Sequence, residues 1–264
     1  MSLSDRTDKV SEALEPKKKT FVPATWSRHV SNTLTHKLKL TRHKLDHMFF
    51  YGLDSQGEIW VATIVHVDDF LVTYREDYDM DSFKACFTWG SGTSLSLETS
   101  ITFRGKELSL VYDDSEKLYV IVVTQKTFIH EMATGRLSKG RLKEENQLLT
   151  GEESKEYRSC AGSLQWLAGQ SRPHVCSAVS LSNRGLETTA GDLQTLYDCI
   201  NTVKASEDIG VRYYPTGMSL VGYGDSSWAN APGHKSQMGV IILLTSSECL
   251  VRSCPGSILD WKSA

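Results

Sequence analysis

Two aspartates stand side by side at Asp68-Asp69, between the β-rich runs Ile59 to Val67 and Phe70 to Tyr74. Paired carboxylates at a hairpin tip backed by apolar strands offer hard oxygen ligands on a rigid base, the donor set that suits Mg²⁺. Asp is also favoured in turns for its own hydrogen bonds, so the pair taken alone reads first as turn chemistry. Asp225 closes a second apolar strand in Val221-Gly-Tyr-Gly-Asp-Ser-Ser-Trp228 and carries the same two readings, metal ligand or strand-ending turn. His43 and His47 have i, i+4 spacing, but no Glu follows His43 as in zinc-protease helices, so exposed histidines are expected. Trp166, Trp228 and Trp261 have rings suited to stacking on bases, yet aromatics in apolar segments more often fill cores, and Trp166 is assigned to the core.

The elements around these residues read as a mixed α+β chain. Residues 1–23 are polar, with Lys17, Lys18 and Lys19 beside Pro16, and read as a flexible lead-in. Trp26, Val30, Leu34 and Leu38 recur every four residues and predict a helix from Ala24 to Leu40. The two runs around Asp68-Asp69 predict a hairpin turning at that pair. A short helix follows over Asp81 to Trp89, then two or three strands in Ser100 to Val123 turning at Asp113-Asp114, and a helix over Gln125 to Met132. Residues 24–135 thus form a first unit.

Arg136 to Glu156 is rich in Lys, Glu, Gly and Ser and reads as an exposed connection. Tyr157 to Arg184 reads as two helices split by Pro173, and Asp192 to Ser206 as a third, so residues 136–210 form a linker and helical region. Beyond Gly210 the pattern changes to strands at Met218 to Gly224, Gln237 to Thr245, Glu248 to Ser253 and Ile258 to Trp261, a β-led unit over 211–264.

The 264 residues, 40% hydrophobic and 23% charged, have the balance of a folded chain, which excludes wholesale disorder. A net charge of -3 argues against a strongly basic nucleic-acid coat, although local basic patches remain open. The six cysteines form no C-x-x-C pair, so neither a zinc finger nor a disulfide framework is expected. No apolar run reaches bilayer length, so no membrane partner is expected and an intracellular setting fits.

Several segments then match one family in order. Ile64-Val-His-Val-Asp-Asp-Phe-Leu-Val72 resembles the Tyr-x-Asp-Asp loop of reverse transcriptases in its copia-type form. Thr102-Phe-Arg-Gly-Lys-Glu-Leu108 is similar to that family's Phe-Leu-Gly-x-x-Ile segment, and Thr124-Gln-Lys-Thr-Phe-Ile-His130 to its Ser-Gln-x-x-Tyr-Ile stretch. Tyr157-Arg-Ser-Cys-Ala-Gly-Ser-Leu-Gln-Trp-Leu167 with Arg172-Pro-His174 resembles Tyr-Arg-x-x-x-Gly-Ser-Leu-x-Tyr-Leu and Thr-Arg-Pro-Asp. Gly222-Tyr-Gly-Asp-Ser-Ser-Trp-Ala229, Lys235-Ser236, Gly239 and Trp261-Lys-Ser263 look like the first strands of the tethered ribonuclease H. One such match arises easily by chance, but five in order do not.

The resemblance to copia-type retrotransposon Pol polyproteins implies a reverse-transcriptase palm, a helical thumb or connection, and an incomplete ribonuclease-H-like unit. It implies Mg²⁺ or Mn²⁺ held by Asp68 and Asp69 in the polymerase and by Asp225 in the ribonuclease H. It also implies RNA template, DNA primer and RNA/DNA hybrid as partners, contacted by His66, Lys126, Arg158 and Arg172, with the rest of the polyprotein as a further partner. Parent elements of this kind work in cytoplasmic particles and deliver DNA to the nucleus.

The sequence departs from the family where His66 replaces Tyr and His174 replaces Asp, and Pro23-Ala-Thr-Trp26 shortens its Pro-Arg-Ala-Trp segment. No Asp-x-x-x-Ala-Phe strand is found in residues 1–22, and the later ribonuclease H carboxylates are not found either, so the chain is expected to be an incomplete piece with negligible primer extension on its own. The alternatives are a non-catalytic nucleic-acid-binding relic or co-opted protein, and a gene fragment with no stable fold, which cooperative thermal unfolding would sink.

Overall fold

The computed structural model describes residues 9–16, 23–182, 187–217, 219–229 and 236–263, in two units, Met1–Tyr112 and Asp113–Ala264. The architecture is α+β with open antiparallel sheets. Lys17, Lys18, Lys19, Arg184, Met218 and Lys235, named above, lie outside the described residues.

The first unit is built on strands β1 (Lys9–Pro16), β2 (Thr41–Arg42), β3 (Phe49–Leu53), β4 (Ile59–His66), β5 (Asp69–Arg75) and β6 (Trp89–Ser94). They form one sheet in the order β2-β3-β4-β5-β1-β6, antiparallel throughout. Helix α1 (Pro23–Asn32) follows β1, and α2 (Met80–Ala85) joins β5 to β6. With β2 and β3 set aside as an edge extension, the succession is β-α-β-β-α-β with the first strand between the third and fourth, the split βαβ arrangement.

One face of the sheet carries Leu14, Val61, Val65, Phe70 and Val72, and these pack with Val30 and Leu34 of the α1 region and Met80 and Phe83 of α2. The four-residue spacing read for this helix holds, although the α-helix ends at Asn32 and one π-type turn carries Thr33–Lys37. A hairpin of β7 (Ile101–Phe103) and β8 (Lys106–Asp113) follows, ending at the boundary of the two units. Its two-residue tip, Arg104 and Gly105, has φ of 53° and 69°, the primed-turn geometry that matches strand twist.

β1 corrects the expectation of a structureless lead-in. Its inward position is taken by Glu12, a charge only 6% exposed, so the alternation that marks a strand was hidden. Glu12 receives the Tyr74 hydroxyl at 2.5 Å and the Lys84 ammonium at 2.9 Å. Burial pushes the Glu12 carboxyl up, but those two partners outweigh it and hold the group below the ordinary glutamate range.

In the second unit, β9 (Leu118–Thr124) pairs with β10 (Val211–Tyr213), so the boundary expected at residue 211 cuts a strand pair. Helices α3 (Lys126–Glu131), α4 (Lys139–Leu142), α5 (Gly151–Ala168), α6 (Cys176–Ser182) and α7 (Ala190–Lys204) follow the helices read from sequence, with additions at α4 and the start of α5. Their core joins Ile129, Tyr157, Leu164, Leu167, Val179, Leu193, Leu196, Ile200 and Val203. α5 begins inside the stretch read as connection, because Thr150 and Glu153 close a capping box there. Trp166 is 43% exposed and lies outside the core assigned to it, since Leu164 and Leu167 take the inward face of α5.

Strands β11 (Ser219–Ser226), β12 (Met238–Thr245) and β13 (Gly256–Ser263) form an antiparallel three-stranded sheet with β12 central. The strand expected at Glu248 to Ser253 is instead a 3₁₀ turn at Ser247–Leu250, started by the Ser246 hydroxyl accepting from the Glu248 N–H. Trp261 of β13 donates its indole N–H to the Ala168 carbonyl at 2.7 Å. Among the described residues, no helix is long and apolar enough to cross a membrane.

Candidate functional site

The β4–β5 hairpin pairs His66 with Asp69, which leaves Val67 and Asp68 as its two turn residues. Asp68 is therefore at the tip, whereas Asp69 is the first residue of β5, beside His66 on one face of the sheet. That face is opposite the core, because Phe70 and Val72 alternate inward. The expected turn at Asp68-Asp69 is thus displaced by one residue.

Val67 has φ of 56°, the left-handed region, and is 64% exposed. That conformation costs an L-residue roughly 1–2 kcal/mol, and a β-branched side chain makes it more unusual. An external clamp holds the turn there: the Trp26 indole of α1 donates to the Val67 carbonyl at 2.6 Å. The Trp26 ring in turn meets Phe87 edge-on, with centroids 6.3 Å apart. The sequence places Trp26 on an apolar helix face but gives no sign of its polar bond to the hairpin.

A third acid lies nearby that the sequence reading passed over. Leu14 pairs with Phe70, so Glu15 and Asp69 are the next residues toward the tip on adjacent strands. Glu15 is exposed and accepts the Ser91 hydroxyl at 3.0 Å. Even so, among the described residues no three Asp, Glu, His or Cys side chains stand close enough to hold a metal ion together.

The remaining candidates are in the second unit. Asp225 is exposed in β11 opposite Gly239, and one of its oxygens accepts the Ser226 N–H at 2.8 Å. Lys126, the first residue of α3, forms an ion pair with Asp208. Arg158 is exposed on α5.

Arg172 is a correction: its side chain is fully buried and reaches no phosphate at a surface. Its guanidinium donates to the Val203 carbonyl at 3.1 Å and to the Ser206 carbonyl, closing the C-terminus of α7 where cations are favoured. Burial pulls its pKa down against the opposing pull of Asp208. Burial, with Arg172 beside it, also pushes the His174 imidazole down.

No protein-family model and no curated protein matches the sequence.

Proposed function

We propose that this chain is a piece of an RNA-directed DNA polymerase with the opening of a ribonuclease H unit, of the copia-type retrotransposon kind. In this reading β1, α1, β4, β5, α2 and β6 are the palm, α5 to α7 the thumb and connection, and β11 to β13 the first ribonuclease H strands. The observation that carries it is the β4–β5 tip, where two adjacent carboxylates follow a left-handed valine held by an indole from α1. Backbone strain of this sort persists only where its surroundings impose it, and it gathers at functional sites. The split βαβ order of the sheet supports the palm assignment.

A divalent ion at Asp68 and Asp69 would supply charge stabilisation at the phosphoryl oxygens of a nucleotide substrate. The chain's own groups divide the remaining work. Trp26 fixes the tip, His66 borders the primer end with a ring that can hydrogen-bond, and Arg158 offers a charge to a phosphate. Among the described residues no third acid joins the hairpin pair in a metal-holding group, so negligible primer extension is expected of the isolated chain while binding of an RNA/DNA hybrid remains. That shortage also favours the second reading, a nucleic-acid-binding protein descended from such a polymerase that performs no chemistry.

Mn²⁺ binding followed by electron paramagnetic resonance, together with hybrid binding, tests the shared part of both readings. The unaltered chain binds Mn²⁺ and an RNA/DNA primer-template, and Asp68→Asn with Asp69→Asn removes the ion. Equal Mn²⁺ binding by the two proteins, with no hybrid binding by either, would overturn both. Primer extension in Mn²⁺ by the isolated chain is expected to be negligible in either reading, and any incorporation would exclude the relic.

A further inference from the structure

We propose that Cys249 and Cys254 are a reversible thiol–disulfide site: a small-molecule disulfide oxidises them to an intramolecular bond that staples the loop joining β12 to β13. This inference is independent of the polymerase reading. Thr245 pairs with Gly256, so the last rung of the ladder fixes both ends of the loop. Ser246 starts the 3₁₀ turn at Ser247–Leu250, and that turn carries Cys249 back over the returning arm. The Thr245 hydroxyl reaches both arms, donating to the Cys249 sulfur at 3.1 Å and to the carbonyl of Pro255, the neighbour of Cys254, at 3.0 Å.

The two cysteines meet across that loop. The Cys249 thiol donates to the Cys254 carbonyl at 3.8 Å, and the Cys254 thiol donates to the Arg252 carbonyl at 3.5 Å. Burial, and after it a hydrogen bond to the Cys249 sulfur, push the Cys254 thiol up. Both residues are half-buried, while Val251 between them is 86% exposed, so the loop is open to a small reagent. Other cysteines are engaged elsewhere: Cys86 donates to the Ser82 carbonyl, Cys176 to the Ala168 carbonyl, and Cys160 is buried in the helical core. A disulfide forms only where the fold brings two sulfurs together, and exposed ones are the readily reduced, labile kind.

The exchange balances with oxidised glutathione as the small disulfide. Cys249 gives up its proton and attacks one glutathione sulfur; the glutathione S–S bond breaks, a Cys249–glutathione bond forms, and the departing thiolate takes up the proton. Cys249 is the point of entry because its sulfur already accepts the Thr245 hydroxyl, a bond that strengthens when the acceptor is a thiolate. Cys254 then loses its proton and attacks the Cys249 sulfur, and the second glutathione leaves and takes that proton. Two protein thiols are oxidised and one glutathione disulfide is reduced. Linkage is reciprocal, so a fold that favours the bond is stabilised by it to the same extent.

Peptide mapping by mass spectrometry, after equilibration with mixtures of reduced and oxidised glutathione, tests this on the folded chain and on the same chain in urea. The folded chain should link Cys249 to Cys254 with an equilibrium constant at least ~10-fold above that in urea, and the linked chain should resist unfolding by the matching ~1.4 kcal/mol or more. Cys254→Ser should stop at the mixed disulfide and carry glutathione on Cys249. Before oxidation its urea midpoint should equal that of the reduced, unaltered chain, which separates loss of the bond from loss of the fold. Equal constants in the folded chain and in urea, two sulfurs that stay reduced, or glutathione on each without a link would overturn the proposal.

Discussion

At the scale of single residues, the hairpin tip sets stability against arrangement. Val67 is held left-handed by its turn and by the Trp26 indole, so glycine there should relieve strain. Val67→Gly is expected to raise unfolding free energy by about 1 kcal/mol, read from urea denaturation. Trp26→Phe keeps a ring against Phe87 but removes the bond to the Val67 carbonyl, and should cost about 1 kcal/mol. The two arginines make a sharper contrast. Arg172→Ala removes a buried guanidinium from the end of α7 and should cost about 2–4 kcal/mol without altering the salt dependence of hybrid binding. Arg158→Ala should leave stability unchanged and, where it meets a phosphate, lower the salt slope by about 1. Equal effects of the two substitutions on binding would mean that Arg172 reaches the ligand after all.

Among the elements, α5 depends on its start. Thr150 and Glu153 cap one another, and Glu153 also takes both arms of Arg141 at 2.9 Å. Thr150→Ala should cost about 1 kcal/mol, seen as a lower thermal midpoint. The Arg141 bond and the Thr150 N–H hold the Glu153 carboxyl down at about 2, below its usual 4.5. A carboxyl depressed by folding contributes in full above its unfolded value and loses that contribution as pH falls through its folded one. The stabilisation from Glu153 should therefore fade between pH 4.5 and about 2, and a Glu153→Gln protein should show a flatter urea midpoint over that range.

The same elements show what the sequence made legible. α1 and the β4–β5 hairpin could be read because Val30 and Leu34, and then Val61, Val65, Phe70 and Val72, keep strict period on a single buried face. The Asp68-Asp69 pair was visible too, but turn composition does not fix register, and the turn proved to be Val67-Asp68. β1 was invisible because its central inward side chain is a glutamate, made acceptable only by partners far along the chain. Arg172 misled in the opposite way, since a lone arginine reads as a surface cation and the carbonyls that accept from its Nη2 lie beyond residue 200. The 3₁₀ turn at Ser247–Leu250 replaced a strand because Ser246 caps it, a local bond that composition alone does not reveal.

For the whole molecule, charge is the deciding quantity. The net charge of -3 is unaltered, but the cations assigned to phosphate are fewer than the sequence suggested, with Arg172 inside and Lys126 paired to Asp208. Hybrid binding should therefore be weak, with a shallow salt slope, near 1 or 2 on a double-logarithmic plot at ~0.9 per phosphate neutralised. A slope near 6 would point to a basic surface outside the residues considered above.

The place of β1 also sets a timetable. A ribosome makes Lys9–Pro16 before any other described strand, yet that segment closes its ladder only against β5 and β6, the latter ending at Ser94. At ~5–20 residues per second, roughly 4 to 16 seconds of translation separate the making of β1 from the making of its last neighbour. Until Tyr74 and Lys84 have been made within that interval Glu12 lacks its partners, so the charge that later anchors the middle of the sheet keeps the waiting strand in water.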